Sequence, residues 1–301
     1  MSRFNQFFLP LVLGGLVWLS PSSLALADPS TALPFQSGIL ALEQGQYEQA
    51  IDAFDRSMQA GTSAAVLANR CLAHLQLNHY SEAISDCTTS LQLDATATEP
   101  WLNLGLAHYR QGHFEAAQKD YNEFLQRQPQ DYRGFYNRGL VEVAQKDFAV
   151  AVKDFDRALA IARSSTQSLL DAATLVDLYD DRGLALLLAN RPDEALASFT
   201  QEIALQPRDV RAYFNRGCAC HRLGWEQEAL HDFDQVLALN PSHSRSYLER
   251  GLIRQSLGDQ AGAIADLEVA AHHAHQQGAT LLYRYVLNLL NDLQTPSFAV
   301  G

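Results

Sequence analysis

Three histidines near the carboxyl end of the chain, His272, His273 and His275, form its densest group of residues able to bind a metal ion. On a helix, His272 and His275 share one face. No carboxylate or cysteine joins them at ligand spacing, and exposed histidines are usually solvated. We therefore predict no metal site and no cofactor, and titration with zinc, copper and manganese would test this.

A second set of charged residues recurs along the chain. Arginine precedes a small residue at five places, and in four of those segments aspartate precedes a bulky residue further on. The arginines are Arg70, Arg138, Arg182, Arg216 and Arg250, and the aspartates are Asp86, Asp154, Asp232 and Asp266. One such pair resembles a site, but four indicate structure. We predict an ion pair between helices that repeats along the fold.

Motifs of the common enzyme classes are missing from the sequence. There is no phosphate-binding glycine loop, no G-x-S-x-G elbow and no H-E-x-x-H motif. No nucleophile stands in a convincing pair with a base. We therefore expect that the protein is not an enzyme.

The elements that position these residues are internal repeats. One series of small residues has spacings of 33, 34, 34, 44, 34 and 34: Ala50, Ala83, Ala117, Ala151, Ala195, Ala229 and Ala263. Twelve residues upstream a second series keeps the same spacings: Gly38, Cys71, Gly105, Gly139, Gly183, Gly217 and Gly251. Four residues after each alanine is a third set, mostly bulky: Phe54, Cys87, Tyr121, Phe155, Phe199, Phe233 and Leu267. Small side chains let two helices cross closely, and the bulky residue fills the space beside the crossing.

Turn signals separate these segments into pairs of helices. Examples are Gln111-Gly112-His113 and Leu223-Gly224. Pro129, Pro207 and Pro241 are placed to end three of the second helices. Each repeat is therefore predicted to be a helical hairpin.

The segment from Trp101 to Gly112, followed by Phe114, Ala117, Tyr121 and Pro129, resembles the tetratricopeptide repeat signature. The resemblance covers about residues 31–277 and implies an all-α, right-handed superhelical solenoid of antiparallel helix pairs that binds proteins or peptides. Within residues 28–277 we place seven repeats at 31–63, 64–97, 98–131, 132–165, 176–209, 210–243 and 244–277. The insertion 166–175 is expected to lengthen the helix that opens the fifth repeat and to offset the solenoid there.

Residues 278–301 are predicted to form a closing helix and a tail. The helix, Ala279 to Leu293, is apolar on almost every side, whereas a solenoid cap should be polar outside. Either the tail Gln294 to Gly301 covers it or another chain does. The second alternative predicts a homo-oligomer through this helix.

The first 27 residues have the pattern of a signal peptide. Arg3 is followed by an apolar stretch from Phe7 to Leu19, and Ala25 and Ala27 suit signal peptidase. The apolar stretch is shorter than the ~20 residues that span a bilayer, which disfavours the alternative of an uncleaved anchor. We expect export to a periplasm or thylakoid lumen, with no membrane insertion after cleavage. The net charge of −12 argues against nucleic acid as a partner.

Export would place the four cysteines in an oxidising compartment. Cys218 and Cys220 are two residues apart on a predicted helix and point in different directions. Cys71 and Cys87 hold the small and the bulky position of one repeat, so the fold could bring them together. Either they form a disulfide or they remain buried free thiols.

The family resemblance implies that ligands bind the inner face, to which the first helix of each repeat contributes. Most residues at the inner positions are apolar, and asparagines precede the small residue by two. The predicted partner-binding residues are Asn69, Leu72, Asn103, Leu106, Tyr109, Arg133, Tyr136, Asn137, Asp180, Asp181, Arg211, Phe214, Asn215, His221 and Arg245. The basic clamp of cytosolic co-chaperones is not reproduced. An apolar trough edged by arginines suits an amphipathic or extended segment of a partner. The alternative is that the apolar residues only complete the packing between repeats.

We therefore predict an exported scaffold that binds other proteins or peptide segments, for assembly or recruitment of envelope or membrane proteins. Two alternatives are a metal-handling assembly factor and a regulator that docks a periplasmic protease or cell-wall hydrolase. The sequence does not name the partner.

Overall fold

The structure, a computed structural model, describes residues 29–164 and 172–294. The predicted signal peptide, residues 166–171 of the predicted insertion and residues 295–301 of the predicted tail lie outside these ranges. The helices of the described residues are α1 (Pro29–Glu43), α2 (Tyr47–Ala60), α3 (Ala64–Gln76), α4 (Tyr80–Leu93), α5 (Glu99–Arg110), α6 (Phe114–Arg127), α7 (Tyr132–Gln145), α8 (Phe148–Ser164), α9 (Ala172–Leu188), α10 (Pro192–Leu205), α11 (Val210–Arg222), α12 (Glu226–Leu239), α13 (Ser244–Ser256), α14 (Gln260–Gln276) and α15 (Thr280–Gln294). None of them combines the length and apolar character needed to cross a membrane.

Helices α1 to α14 form seven consecutive pairs, as the repeat spacing predicts. In each pair, a short turn with one residue at positive φ joins the first helix to the second. These turn residues are Gly45, Asn78, Gly112, Lys146, Asn190, Gly224 and Gly258. Three second helices end at Arg127, Leu205 and Leu239, two residues before the prolines predicted to stop them.

The two predicted series of small and bulky residues meet where the helices of each pair cross. A Cβ added to Gly105 would lie 2.6 Å from the Tyr121 ring, and one added to Gly139 would lie 2.7 Å from the Phe155 ring. These rings are fully buried. Glycine is required because any side chain there would collide with the ring, so the crossing distance follows from the sequence.

The chain divides into two compact units. The N-terminal unit contains α1 to α8, which is four helix pairs. The C-terminal unit contains α9 to α14, which is three pairs, and α15. Residues 172–175 of the predicted insertion are the first four of α9, which has 17 residues.

Helix α15 packs against α14 at the end of the C-terminal unit. Val286 and Leu290 are buried in this contact. Leu281, Tyr285 and Leu287 are exposed by 59%, 50% and 41%. The outward side of α15 therefore presents large apolar side chains.

Candidate functional site

Successive first helices lie side by side within each unit. Among the described residues, α1, α3, α5 and α7 approach one another more closely than the second helices of the same repeats do, and so do α9, α11 and α13. In a stack of hairpins, the closer row forms the concave side. The first helices therefore line the inner face of each unit, where the predicted binding residues lie.

In the N-terminal unit the structure buries most of the predicted binding residues. These buried residues are Asn69, Leu72, Asn103, Leu106, Tyr136 and Asn137. Leu72 and Leu106 belong to the apolar cores between helices, and the Tyr136 ring lies 5.9 Å from that of Phe155. Tyr109 is half-buried, with its ring 5.7 Å from that of Phe114. Tyr109 is therefore the accessible aromatic residue of this set.

Arg133 links two repeats of the N-terminal unit. Its guanidinium donates to both carboxylate oxygens of Glu99, at 2.8 and 3.1 Å, and to Asp131 at 2.6 Å. Asp131 also caps α7 by accepting from the backbone amide of Arg133. Arg133 therefore stabilises the stacking of α7 on α5 as well as lying at the edge of the inner face.

In the C-terminal unit the predicted residues of α11 and α13 remain accessible. The Phe214 ring lies 5.7 Å from that of Phe233 and 5.2 Å from that of His243. The His221 side chain is 40% exposed and its Nδ1 lies 2.8 Å from a Glu226 carboxylate oxygen. Arg245 is exposed, and its charge partly offsets the rise that burial causes in the pKa of Glu249, one turn further along α13. This unit therefore offers an aromatic ring, a histidine and an exposed arginine on one face.

The structure brings four other predicted residues together where α9 meets α11. Arg211 Nη1 lies 3.4 Å from Asp180 Oδ2, and its Nη2 lies 3.1 Å from Asp209 Oδ2. The Asn215 amide donates to Asp180 Oδ1 at 3.0 Å. Asp181, the next residue on α9, is buried. Asp180, Arg211 and Asn215 therefore form one cluster, and Asp181 follows Asp180 on the same helix.

Glu202 of α10 adds a fourth carboxyl group that sequence reasoning missed. Its side chain is fully buried, and among the described residues neither carboxyl oxygen has a hydrogen-bond partner. Burial, together with the nearby charges of Asp180 and Asp209, raises the pKa of Glu202 to about 9, although the charge of Arg211 lowers it. The carboxyl group is therefore protonated at neutral pH.

Alignment of the repeats reveals how unusual this residue is. Glu202 follows the small residue Ala195 by seven positions. At that position the other repeats have uncharged buried residues: Ser57, Ser90, Phe124, Ala158, Val236 and Ala270. Asp180 likewise replaces residues that are apolar elsewhere, such as Leu102 and Leu248. Comparison of the repeats at this one position is the signal that could have identified Glu202.

The pKa of Asp180 is also shifted by its burial and by the charges around it. Burial and the charge of Asp209 raise its pKa to about 6, although Arg211 and the hydrogen bond from Asn215 lower it. In both Asp180 and Glu202 the desolvation of the carboxyl group is the largest effect. The carboxyl groups of the cluster outnumber its one arginine. Glu202, and Asp180 at lower pH, therefore bind protons.

The predicted ion pairs between helices are confirmed in all four repeats. Each arginine donates hydrogen bonds from Nε and Nη2 to the two carboxylate oxygens of its aspartate. The shorter distance in each pair is 2.6 Å for Arg70–Asp86, 2.7 Å for Arg138–Asp154, 2.7 Å for Arg216–Asp232 and 2.6 Å for Arg250–Asp266. The fifth arginine, Arg182, donates to Ser198 instead. These pairs bind the two helices of a repeat together and belong to the scaffold.

The third repeat has no arginine at this position, and a histidine one turn later takes its place. His108 Nδ1 lies 2.6 Å from Asp120 Oδ2. In the seventh repeat, Arg254 occupies the corresponding position and also binds Asp266. In the five repeats that have this aspartate, its cation therefore comes from one of two successive turns of the first helix.

The two cysteine pairs differ. Cys71 and Cys87 form a disulfide between α3 and α4, which resolves the alternatives left open by the sequence. Cys218 and Cys220 are free thiols, as predicted. Burial raises the pKa of Cys218 to about 12 and that of Cys220 to about 11. Neither thiol is activated as a nucleophile.

The three clustered histidines pack against aromatic neighbours. The His273 ring stacks on Tyr247 at 5.9 Å, and the His275 ring lies 5.0 Å from that of Tyr283. Across residues 29–164 and 172–294, no three histidine, cysteine or acidic side chains are arranged to hold a metal ion.

Comparison with known proteins agrees with the geometry. A family model described as tetratricopeptide repeat matches residues 102–166, 181–225 and 227–279, which is more than half of the chain. A second model of the same description matches residues 210–243. No curated protein matches the sequence.

Among solved structures, three are representative. YrrB, a TPR protein with an unusual peptide-binding site, is 20% identical with a TM-score of 0.56, covering 67% of this chain and 97% of its own. A tetratricopeptide repeat protein from Parabacteroides merdae is 19% identical, with a TM-score of 0.59 and coverages of 86% and 100%. The C-terminal part of a TPR protein from Cytophaga hutchinsonii is 15% identical, with a TM-score of 0.64 and coverages of 78% and 93%. At these identities the likeness is one of fold.

Proposed function

The chain belongs to the tetratricopeptide repeat family, and we propose that it is an exported scaffold whose first helices bind segments of partner polypeptides. The fold supports protein–protein interaction, because a row of helices presents an extended concave surface rather than an enclosed pocket. YrrB, which has the same fold, is known for a peptide-binding site. We place the binding surface of this protein on the inner face of the C-terminal unit.

The inner faces of the two units differ in how much of them is buried. The inner face of the N-terminal unit is largely closed by packing, whereas that of the C-terminal unit leaves Phe214, His221 and Arg245 accessible. An aromatic ring beside polar and charged side chains is the composition that binding surfaces favour. The partner we propose is an extended or amphipathic segment with both apolar and charged residues.

Export is supported by two features of this chain. The first 27 residues have the pattern of a signal peptide, and the Cys71–Cys87 disulfide suits an oxidising compartment. We propose a periplasm or thylakoid lumen as the location, with assembly or recruitment of envelope or membrane proteins as the role.

Co-purification tests the proposal. A tagged chain is expressed with its own leader, crosslinked in intact envelopes and purified, and the bound proteins are identified by mass spectrometry. The double variant His221→Ala, Arg245→Ala should lose the partners that the wild type retains. The control His231→Ala, Arg208→Ala makes the same changes at exposed residues outside the first helices and should retain them. Equal recovery with both variants would contradict the proposed surface.

A further inference from the structure

We propose that the C-terminal unit binds the positively charged side chain of a lysine or arginine in a partner polypeptide, between Asp180 and Glu202, and that Arg211 occupies the mouth of this site until the partner displaces it. This inference rests on the proposed function and adds the chemistry of the partner. We call these residues, with Asp209, the acidic site.

The acidic site has more carboxyl groups than cations. Three carboxyl groups come from three elements: Asp180 from α9, Glu202 from α10, and Asp209 from the turn before α11. Among the described residues, Arg211 is the one cation that acts on both Asp180 and Glu202. A site with this excess of carboxyl groups binds either protons or a further cation.

The fold does not need a carboxyl group at Glu202. Buried polar groups in folded proteins nearly always have hydrogen-bond partners, yet both carboxyl oxygens of Glu202 lack one among the described residues. The other six repeats fold with serine, alanine, valine or phenylalanine at the same position. The buried carboxyl group destabilises this repeat and makes no hydrogen bond that would offset the cost. Such residues are typical of binding sites.

The kind of cation follows from the geometry. In the part of the chain that the structure describes, no group of three acidic, histidine or cysteine side chains is arranged to hold a metal. An ammonium or guanidinium group needs no such shell, since it donates several hydrogen bonds to carboxylates at different distances. The acidic site therefore suits an organic cation carried by a polypeptide.

Arg211 is suited to act as a displaceable occupant. Its side chain is 47% exposed, and it approaches Asp180 only to 3.4 Å, whereas it hydrogen-bonds to Asp209 at 3.1 Å. The side chains of Asp180 and Asp209 are each only 10% exposed, and a buried carboxylate that loses its cation is costly. The guanidinium of Arg211 therefore leaves Asp180 only when the partner's cation takes its place.

Binding of a cation at this site should release a proton. The pKa of Glu202 is about 9 in the free protein because of burial and the neighbouring carboxylates. A positive charge beside the carboxyl group lowers this pKa, so Glu202 ionises when the partner binds. Affinity should therefore rise with pH below about 9, as linkage between proton release and binding requires.

The test uses two pools of random heptapeptides that have arginine or its neutral analogue citrulline at the central position. Residues 28–301 are titrated with each pool in two buffers of different ionisation enthalpy, so that calorimetry counts released protons. The arginine pool should bind at least about tenfold more tightly than the citrulline pool and release a proton. Glu202→Gln should remove both effects, whereas the control Glu228→Gln, at an exposed glutamate of the same unit, should keep them.

A variant that is expected to bind more tightly separates loss of the site from misfolding, because a misfolded protein would not gain affinity. Arg211→Gln removes the internal competitor and should tighten binding of the arginine pool several-fold. If both pools bind equally, or if Glu202→Gln binds the arginine pool as the wild type does, the acidic site is refuted while peptide binding stands. If neither pool binds, the proposed function is contradicted as well.

Discussion

Cys71 and Cys87 are joined by a disulfide at the crossing of α3 and α4, with their Cα atoms 5.5 Å apart. Every other repeat has glycine in the place of Cys71, and five of those six have an aromatic ring in the place of Cys87. The disulfide thus replaces a packing contact with a covalent one at the same point of the fold.

Reduction of this disulfide should destabilise the N-terminal unit. The bond links residues 16 apart, and a loop of this length constrains the unfolded chain by about 3 kcal/mol. Urea unfolding followed by circular dichroism should show a lower midpoint with reductant. The variant Cys71→Gly, Cys87→Phe, which copies the crossing of another repeat, should have the same midpoint with and without reductant. An unchanged wild-type midpoint in reductant would contradict this role.

The ion pairs between helices should contribute more than surface pairs. Asp154 is buried, and Asp154→Asn leaves the guanidinium of Arg138 without its carboxylate. We expect a loss of about 2 kcal/mol in the free energy of unfolding. Glu123→Gln breaks the more exposed pair with Arg127 and should cost under about 0.5 kcal/mol. Equal losses for the two variants would show that these pairs do not hold the hairpins together.

Much of this scaffold could be predicted because its features recur. The glycine–ring crossings and the arginine–aspartate pairs each appear in several repeats at one spacing, so the pattern identifies both partners. The His108–Asp120 pair could not be predicted in this way, since its cation comes from one turn further along the helix. A single substitution in one repeat gives no periodic signal.

The pH dependence of stability should originate largely from Glu202. The folded protein keeps this carboxyl group protonated up to a pKa of about 9, whereas the unfolded chain loses the proton above its ordinary value of 4.5. Stability is therefore lost as pH rises between these values. Asp180 acts in the same direction up to about pH 6.

Glu202→Gln cannot ionise and removes this loss. At about pH 8 it should be more stable than the wild type by about 2 kcal/mol or more, with little difference near pH 4. Glu228→Gln, at an exposed position, should match the wild type throughout. Chemical unfolding across this range measures the effect. A variant whose stability falls with pH as steeply as that of the wild type would refute the assignment to Glu202.

The exposed apolar side chains of α15 should promote self-association. We expect residues 28–301 to form a dimer or larger species as concentration rises, measured by gel filtration with light scattering. Leu281→Gln, Tyr285→Gln and Leu287→Gln together should give a monomer. Leu93→Gln, an exposed leucine on α4, should not. A wild type that stays monomeric at high concentration would contradict this expectation.

The binding surface was harder to predict than the scaffold. The sequence indicates which residues face inward, but burial depends on how closely successive first helices stack. That distance is set by many contacts between repeats, and it buries Tyr136 while leaving Tyr109 half exposed. Tyr136→Ala would therefore cost about 3–5 kcal/mol in stability and cannot serve as a test of binding.

Site-specific photocrosslinking tests the central claim most directly. A benzophenone amino acid replaces Tyr109 or Phe214 on the first helices, or Gln126 or His231 on the second helices, and the chain is irradiated in its native envelope. We expect discrete adducts with partner polypeptides from the first-helix positions, strongest at Phe214, and few from the second-helix positions. Adducts of equal yield from both faces, or none from the first helices, would contradict it.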